Sequence, residues 1–321
     1  MFDRYPGELA AIGTAVFWTL SSIFFTSAGR RVGALAVSFF RMVIACALLM
    51  ACAPLVGSQP VPTDAGLRTW ILLGISGFLG FFLCDICLYK AMILIGPRLT
   101  LLVFSLLPPM TTIGSLAIGE TITFRQWLGM CITLAGIVWV VLERPDGEDG
   151  VGPNAPGPPE SYPWPTGPIP HSVARRRGLA LALFATAMSA IGMVFSRDVM
   201  QVYKDVTGAT LIRVLGALPG YIVLLTVFRR WPAMLCTIRN RSAAILLLAG
   251  SLIGSFAGSF LNMLALRYSS AGVVTTITAT MPVLILPLTI LVYHERVSPR
   301  AVGGALLAVA GVALLVLRST T

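Results

Sequence analysis

Charge is scarce in this chain. Of its 321 residues only 11% are Asp, Glu, Lys or Arg, while 56% are hydrophobic, and the mean hydropathy is +0.87. Soluble domains carry about a quarter of their residues as charges, so this balance excludes a water-soluble globular enzyme and a disordered polar chain alike. Histidine is almost missing: His171 lies in a proline-rich stretch and His294 at the end of an apolar run. Neither a histidine-rich metal centre nor a nucleophile and base pair can be assembled from them. Cys84 and Cys87 form the one CxxC, inside an apolar run and away from the helix N-terminus that would lower a thiol pKa, and Cys46, Cys52, Cys131 and Cys236 supply no second pair at ligand spacing. No catalytic site, metal or cofactor is expected. The net charge of +10 is scattered over the ends of apolar runs, without the basic stripe and interleaved aromatics of a nucleic-acid binder.

What the sequence does hold is hydrocarbon-compatible helix. Apolar runs extend over Leu9 to Ala28, Ala34 to Val56, Trp70 to Ile95, Leu99 to Ile118 and Trp127 to Leu142, then Gly178 to Ser196, Ala209 to Phe228, Ala243 to Leu266, Ala271 to Tyr293 and Ala301 to Leu317. A helix crosses the bilayer core in about 17 to 25 residues. Open strands are ruled out because their backbone groups find no partner in hydrocarbon, and barrel strands because the runs are continuous and do not alternate. The expectation is an all-α polytopic membrane protein of ten transmembrane helices. The start, MFDRYPGELAAIG, lacks the basic region and cleavage site of a signal peptide, so the first run is expected to remain as a helix.

The second half repeats the first. LGISGFLGFFLCDICLYKAMILIGPRLTLLVFSLLP lies over LAGSLIGSFAGSFLNMLALRYSSAGVVTTITATMP, pairing Gly80 with Gly254, Ala91 with Ala265 and Pro108 with Pro282. After a one-residue insertion, Glu120 pairs with Glu295, Arg125 with Arg300, Gly129 with Gly304 and Gly136 with Gly311; upstream, SFFRMV over TLIRVL pairs Arg41 with Arg213. Five helices is an odd number, so the second copy enters the membrane the other way up, and the repeats are expected to be inverted. The proline of the fourth helix followed by Gly-Glu and a glycine-rich fifth helix, LLPPMTTIGSLAIGETITFRQWLGMCITLAGI, is echoed by TMPVLILPLTILVYHERVSPRAVGGALLAVAGV, with His-Glu replacing Gly-Glu. In order and doubling these segments resemble the EamA-type members of the drug/metabolite transporter superfamily. That resemblance implies two five-helix halves, here residues 1–142 and 178–321, rocking about a central cavity to move small metabolites. Residues 143–177, rich in proline and glycine, read as a linker.

Intramembrane charge marks the candidate site. Asp85 lies about 15 Å from the nearer end of its run, too deep for its short side chain to reach water unaided. Lys90 is about 140° away around the helix, so the two do not form an intrahelical pair, and Lys90 has the alternative of snorkelling to the interface. Arg41 and Arg213 are matched between halves, whereas Asp85 is matched by Ser259 and Lys90 by Leu264; a residue needed only to make the fold would be doubled. A polar site of Asp85, Lys90, Arg41 and Arg213 follows, with Tyr89 one turn from Asp85 and Asn262 and Trp18 as lesser members. A purely structural ion-pair network of the same residues is the competing reading. Pro108 and Pro282 remove backbone donors at matched places and either shape the transport path or simply kink their helices. Glu120 and Glu295, at the ends of apolar runs, read as interfacial structure. Gly250, Gly254 and Gly258, and likewise Gly74, Gly77 and Gly80, read as packing ridges.

More cations than anions in the cavity suits a carboxylate-bearing cargo such as an amino acid, exported, with a proton or counter-substrate as a possible second partner. Amphipathic drug-like compounds, drawn by methionines such as Met188 and Met193, are an alternative cargo. A lipid-modifying membrane enzyme or a noncatalytic assembly subunit are the readings from other classes. Arg175 to Arg177, Arg229, Arg230, Arg239 and Arg241 all fall in loops that follow odd-numbered helices, which places those loops in the cytoplasm and both termini outside it, in a plasma or inner membrane. Reporter fusions are expected to put both termini on one side and the 143–177 segment on the other; opposite-sided termini would overturn the even helix count.

Overall fold

The computed structural model describes residues 5–142, 171–281, 283–284 and 299–316. α1 (Pro6–Val32) and α2 (Ala34–Cys52) meet at Gly33, whose φ of 85° and ψ of 153° suit glycine alone and let a single residue redirect the chain. α3 (Leu67–Gly77) passes through a π-helical segment, Phe78–Leu83, into α4 (Cys84–Phe104), followed by α5 (Leu107–Leu116) and α6 (Phe124–Leu142). The second copy holds α7 (His171–Val202), α8 (Val206–Val227), a short α9 (Trp231–Arg239), α10 (Arg241–Gly250), a second π-helical segment, Ser251–Gly258, α11 (Ser259–Tyr268), α12 (Ala271–Thr278) and α13 (Pro299–Val316). Asp205 caps α8 by accepting from Thr207 N–H at 2.9 Å, and Asn240 caps α10 by accepting from Ala243 N–H at 3.1 Å.

Six described stretches are long and apolar enough to cross a membrane: Pro6–Gly29, Ala34–Val56, Leu67–Met92, Arg175–Val202, Val206–Val227 and Arg241–Tyr268. Thr100–Leu116, Phe124–Val140 and Val302–Leu315 are shorter apolar helices. The run from Ala271 is described only to Leu284, and Pro282, Glu295 and His294 lie outside the described residues, so ten crossings go beyond what these helices count. One boundary differs from the sequence reading. α7 begins at His171, inside the expected 143–177 linker, because Arg175, Arg176 and Arg177 are good helix formers whose exposed charges hide a helical extension from a hydropathy reading. The helical trace is also unbroken from Leu67 to Phe104, yet Phe104 packs back on the cluster of Cys84, Cys87 and Ala185. A straight helix would carry Phe104 about 25 Å beyond Cys87, so the chain doubles back within this stretch, as the separate runs ending at Ile95 and starting at Leu99 led one to expect.

The two copies make the same contacts with partners exchanged. On α1 against α10–α11, Gly7 meets Ser269, Gly254 meets Ser21 and Gly250 meets Phe25. On α7 against α3–α4, Gly178 meets Ile95, Gly192 meets Ser76 and Gly80, and Ser196 Oγ lies 2.7 Å from Ser76 Oγ. Adding 171 turns positions 7, 21 and 25 into 178, 192 and 196; adding 174 turns 76, 80 and 95 into 250, 254 and 269. In the pair α6 and α13, Gly129 meets Gly311 and Leu315 while Gly136 meets Gly304 and Ala308. Later residues of one helix touch earlier residues of the other, so these two helices are antiparallel. The expected glycine ridges are thus contact surfaces, where absent side chains let backbones approach in a medium that supplies no hydrophobic drive between helices.

Packing is tighter at the end that carries the N-terminus. Ser259, Asn262, Met263, Leu266 and Ser269 are buried, whereas their matches Asp85, Leu88, Tyr89, Met92 and Ile95, toward the other end, are half-buried. Thr275 to Thr278 are buried against half-buried Leu101 to Phe104.

A Cβ on Gly136 would overlap the Ala308 nitrogen and stand 2.6 Å from the Gly304 carbonyl, while Gly303 has nothing within 4 Å. Gly136→Val is expected to cost about 1–3 kcal/mol by overpacking, read as a fall in the Tm of the purified protein. Gly303→Val is expected to leave the Tm unchanged.

Candidate functional site

Asp85, whose burial in the sequence demanded a partner, finds it on α2. Arg41 Nη2 and Asp85 Oδ2 form an ion pair, with 20% and 16% of the side chains exposed. Unpaired, either charge at a helix centre costs about 2.5–3.5 kcal/mol to insert. Tyr221, on α8 in the other repeat, places its Oη 2.7 Å from the Phe81 carbonyl and 3.2 Å from Asp85 Oδ2, so one phenolic proton is shared between two acceptors. Phe81 belongs to the first π-helical segment, whose wider turn departs from the regular i→i+4 ladder. Tyr89 lies within electrostatic reach of both Arg41 and Asp85, and Ser38 Oγ stands beside the two phenols without a hydrogen bond of good geometry. Arg41, Asp85, Tyr89, Tyr221 and Ser38 thus form one cluster from three helices and both repeats.

The other expected members are placed elsewhere. Lys90 is half-buried and acts on Cys87, which packs with Ala185 of α7; it is not among the partners of Asp85. Trp18 Nε1 donates to the Gly254 carbonyl at 3.2 Å and its ring fills the space over Gly258, which makes it a wedge between α1 and the second π-helical segment. Arg213 is 3% exposed; its Nη1 lies 3.7 Å from Met263 Sδ and its guanidinium 4.6 Å from the centroid of the Phe81 ring. Asn262 is 1% exposed and neither of its amide atoms has a partner. Pro108 sits in the first turn of α5, after a break at Ser105 and Leu106, where proline costs no intrahelical bond. Cys84 and Cys87 are free thiols buried in a small apolar cluster.

Tyr221 and Ser38 were missed by the sequence reading, although a tyrosine well inside an apolar run is itself a sign of a buried hydroxyl in need of a partner. Arg197 was missed because it stood at the edge of a run and read as a boundary. It pairs with Glu120, donates to the Arg267 carbonyl at 3.0 Å and also reaches the Leu266 carbonyl, while Glu120 Oε2 accepts from the Ala271 N–H at the start of α12. Glu120 thus ties α7 to the start of α12 with its side chain only 6% exposed, whereas the sequence reading places it at the interface. A separate cleft of about 430 Å³, lined by Leu67, Arg68, Ile71, Leu72, Ile118, Phe195 and Asp198, does not include Arg41 or Asp85.

The profile of the EamA-like transporter family matches residues 5–142 and again residues 176–317. The chain belongs to that family. As an EamA-like transporter it is a multi-pass membrane protein of the drug/metabolite transporter superfamily, built from two family repeats. A search of curated proteins returns no match. Among 27 matching chains of solved structures, one titled "Crystal structure of protein" superposes with a TM-score of 0.73 over 99% of each chain at 17% identity; at that identity the likeness is one of fold.

In this EamA-like transporter the Arg197–Glu120 pair is 16% and 6% exposed. Breaking such a pair strands the remaining charge and costs about 3–5 kcal/mol. Glu120→Gln is expected to lower the Tm in detergent sharply, and Glu120→Gln with Arg197→Gln to recover part of the loss.

Proposed function

We propose that the protein exports a small polar metabolite bearing a carboxylate, an amino acid or a near relative, by alternating access between ten helices in two inverted repeats of five. The observation that carries this reading is the Arg41–Asp85 ion pair, whose carboxylate is also met by the Tyr221 hydroxyl from the opposite repeat. It lies deep within helices that span a membrane, is half-buried, and joins both halves. A guanidinium held by one carboxylate, with two phenols nearby, can pass its hydrogen bond to a cargo carboxylate, while Asp85 meets the cargo's amino group. Exchange of partners between the repeats, together with unequal packing at the two ends, supports two interconverting states. The looser end is the one nearer Arg175 to Arg177, which the distribution of basic residues assigns to the cytoplasm of a plasma or inner membrane. The chain before α7, which starts at His171, connects the two halves. A drug-like cargo is less well supported, because Met193 is packed in the core with Leu73 and Ile212.

Purified protein in proteoliposomes, tested against a panel of labelled amino acids and amphipathic amines, is expected to transport one or more of the former. Asp85→Asn is expected to cut that flux by an order of magnitude or more at normal membrane abundance, since the amide keeps the volume and removes the charge. Wild-type flux in Asp85→Asn would refute a role for the pair in cargo handling.

A further inference from the structure

The two matched arginines are not equivalent. Arg41 has Asp85, but the residue that matches Asp85 in the second copy is Ser259, 4% exposed. Among the described residues no carboxylate pairs with Arg213. Its Nε has no partner, which is equally true of Arg41, but the groups around the Arg213 guanidinium are only a thioether, an aromatic face and the bare backbone at Gly80. None of these carries a negative charge. A buried guanidinium so surrounded lacks the counter-charge that makes burial tolerable. The helix that brings Met263 to Arg213 holds further unspent donors. Asn262, next to Met263, is 1% exposed with its Nδ2 and Oδ1 both unpartnered, and Ser255 Oγ, one turn before Ser259, is unpartnered as well.

We propose that Arg213 is an anion-binding site, distinct from the Arg41–Asp85 cluster, that takes a monovalent anion on the guanidinium with Asn262 as a neighbouring donor. α2 begins at Ala34 and α8 at Val206, at opposite ends of the bundle, and each arginine lies seven residues in. The two sites therefore lie about 10 Å inside opposite ends of their helices, one in the looser half and the other in the sealed half. The shared chemistry is a single negative charge, either the carboxylate of the cargo or a free halide. Repeat matching explains why the second half carries serine: the charge that Asp85 provides to Arg41 from within the chain is provided to Arg213 by a ligand that comes and goes. Access requires the sealed end to open, which rests on the alternating-access reading; binding itself does not.

The test is thermal unfolding of the purified full chain in detergent, titrated with sodium chloride or sodium acetate at constant ionic strength in sodium methanesulfonate. A saturable rise in Tm is expected. Chloride alone producing it assigns the site to a free halide; acetate alone assigns it to a carboxylate and hence to the cargo. Ser259→Asp is expected to abolish the response by supplying an internal carboxylate, while Ser259→Asn is expected to keep it. Absence of a saturable shift with either anion in the wild type overturns the proposal, as does a full response in Ser259→Asp. Anion binding in a protein that shows no flux would leave this site standing and sink the transport reading.

Discussion

Close approach of helices is the constraint on which this structure depends. In hydrocarbon there is no gain from hiding one apolar surface against another, so helices stay together only where backbones come near enough for dispersion and polar contact. Gly77 lies against the backbone of Arg213, Gly216 against that of Gly74, and Gly254 against Ser21. Each removes a Cβ that would otherwise hold two helices apart. The ion pair follows from this closeness, because Arg41, Asp85 and Tyr221 come from three helices and meet only if those helices pack without intervening side chains.

Much of the fold could be read from residue types. The spacing of Gly80, Gly254, Gly136 and Gly311 carried the repeat, and apolar run lengths carried most of the helices, because bilayer thickness is a strict ruler. The breaks were harder. The return of the chain between Ile95 and Phe104 was marked by Gly96, Pro97 and Arg98, where the third apolar run ended, but the helical start of α7 is charged, so hydropathy is blind to it. The π-helical segments left no readable mark, since Phe78 to Leu83 is as apolar as any regular helical stretch.

The candidate site was legible in its charges and not in its neutral members. Asp85 advertised itself by depth, and its pairing with Arg41 was foreseen as one option. The sequence grouped Arg41 with Arg213, and the structure parts them: matched positions in inverted repeats lie toward opposite ends of the bundle, so equivalence in sequence means separation in space. Trp18 illustrates the converse. An indole in an apolar run resembles a cargo contact, and here it packs over Gly258 and bonds to Gly254 while staying half-buried.

The matched π-helical segments have one more consequence. Each adds a residue to its turn, a phase slip of roughly 100° between the helix before it and the helix after it. In a regular helix Gly77, Phe81 and Asp85 would share nearly one face; here the slip falls between the glycine ridge that seats Arg213 and the carboxylate that turns to Arg41. Each of these long helices is thus two registers with a fixed angular offset. Duplication preserved that offset in both copies even where it did not preserve the acid.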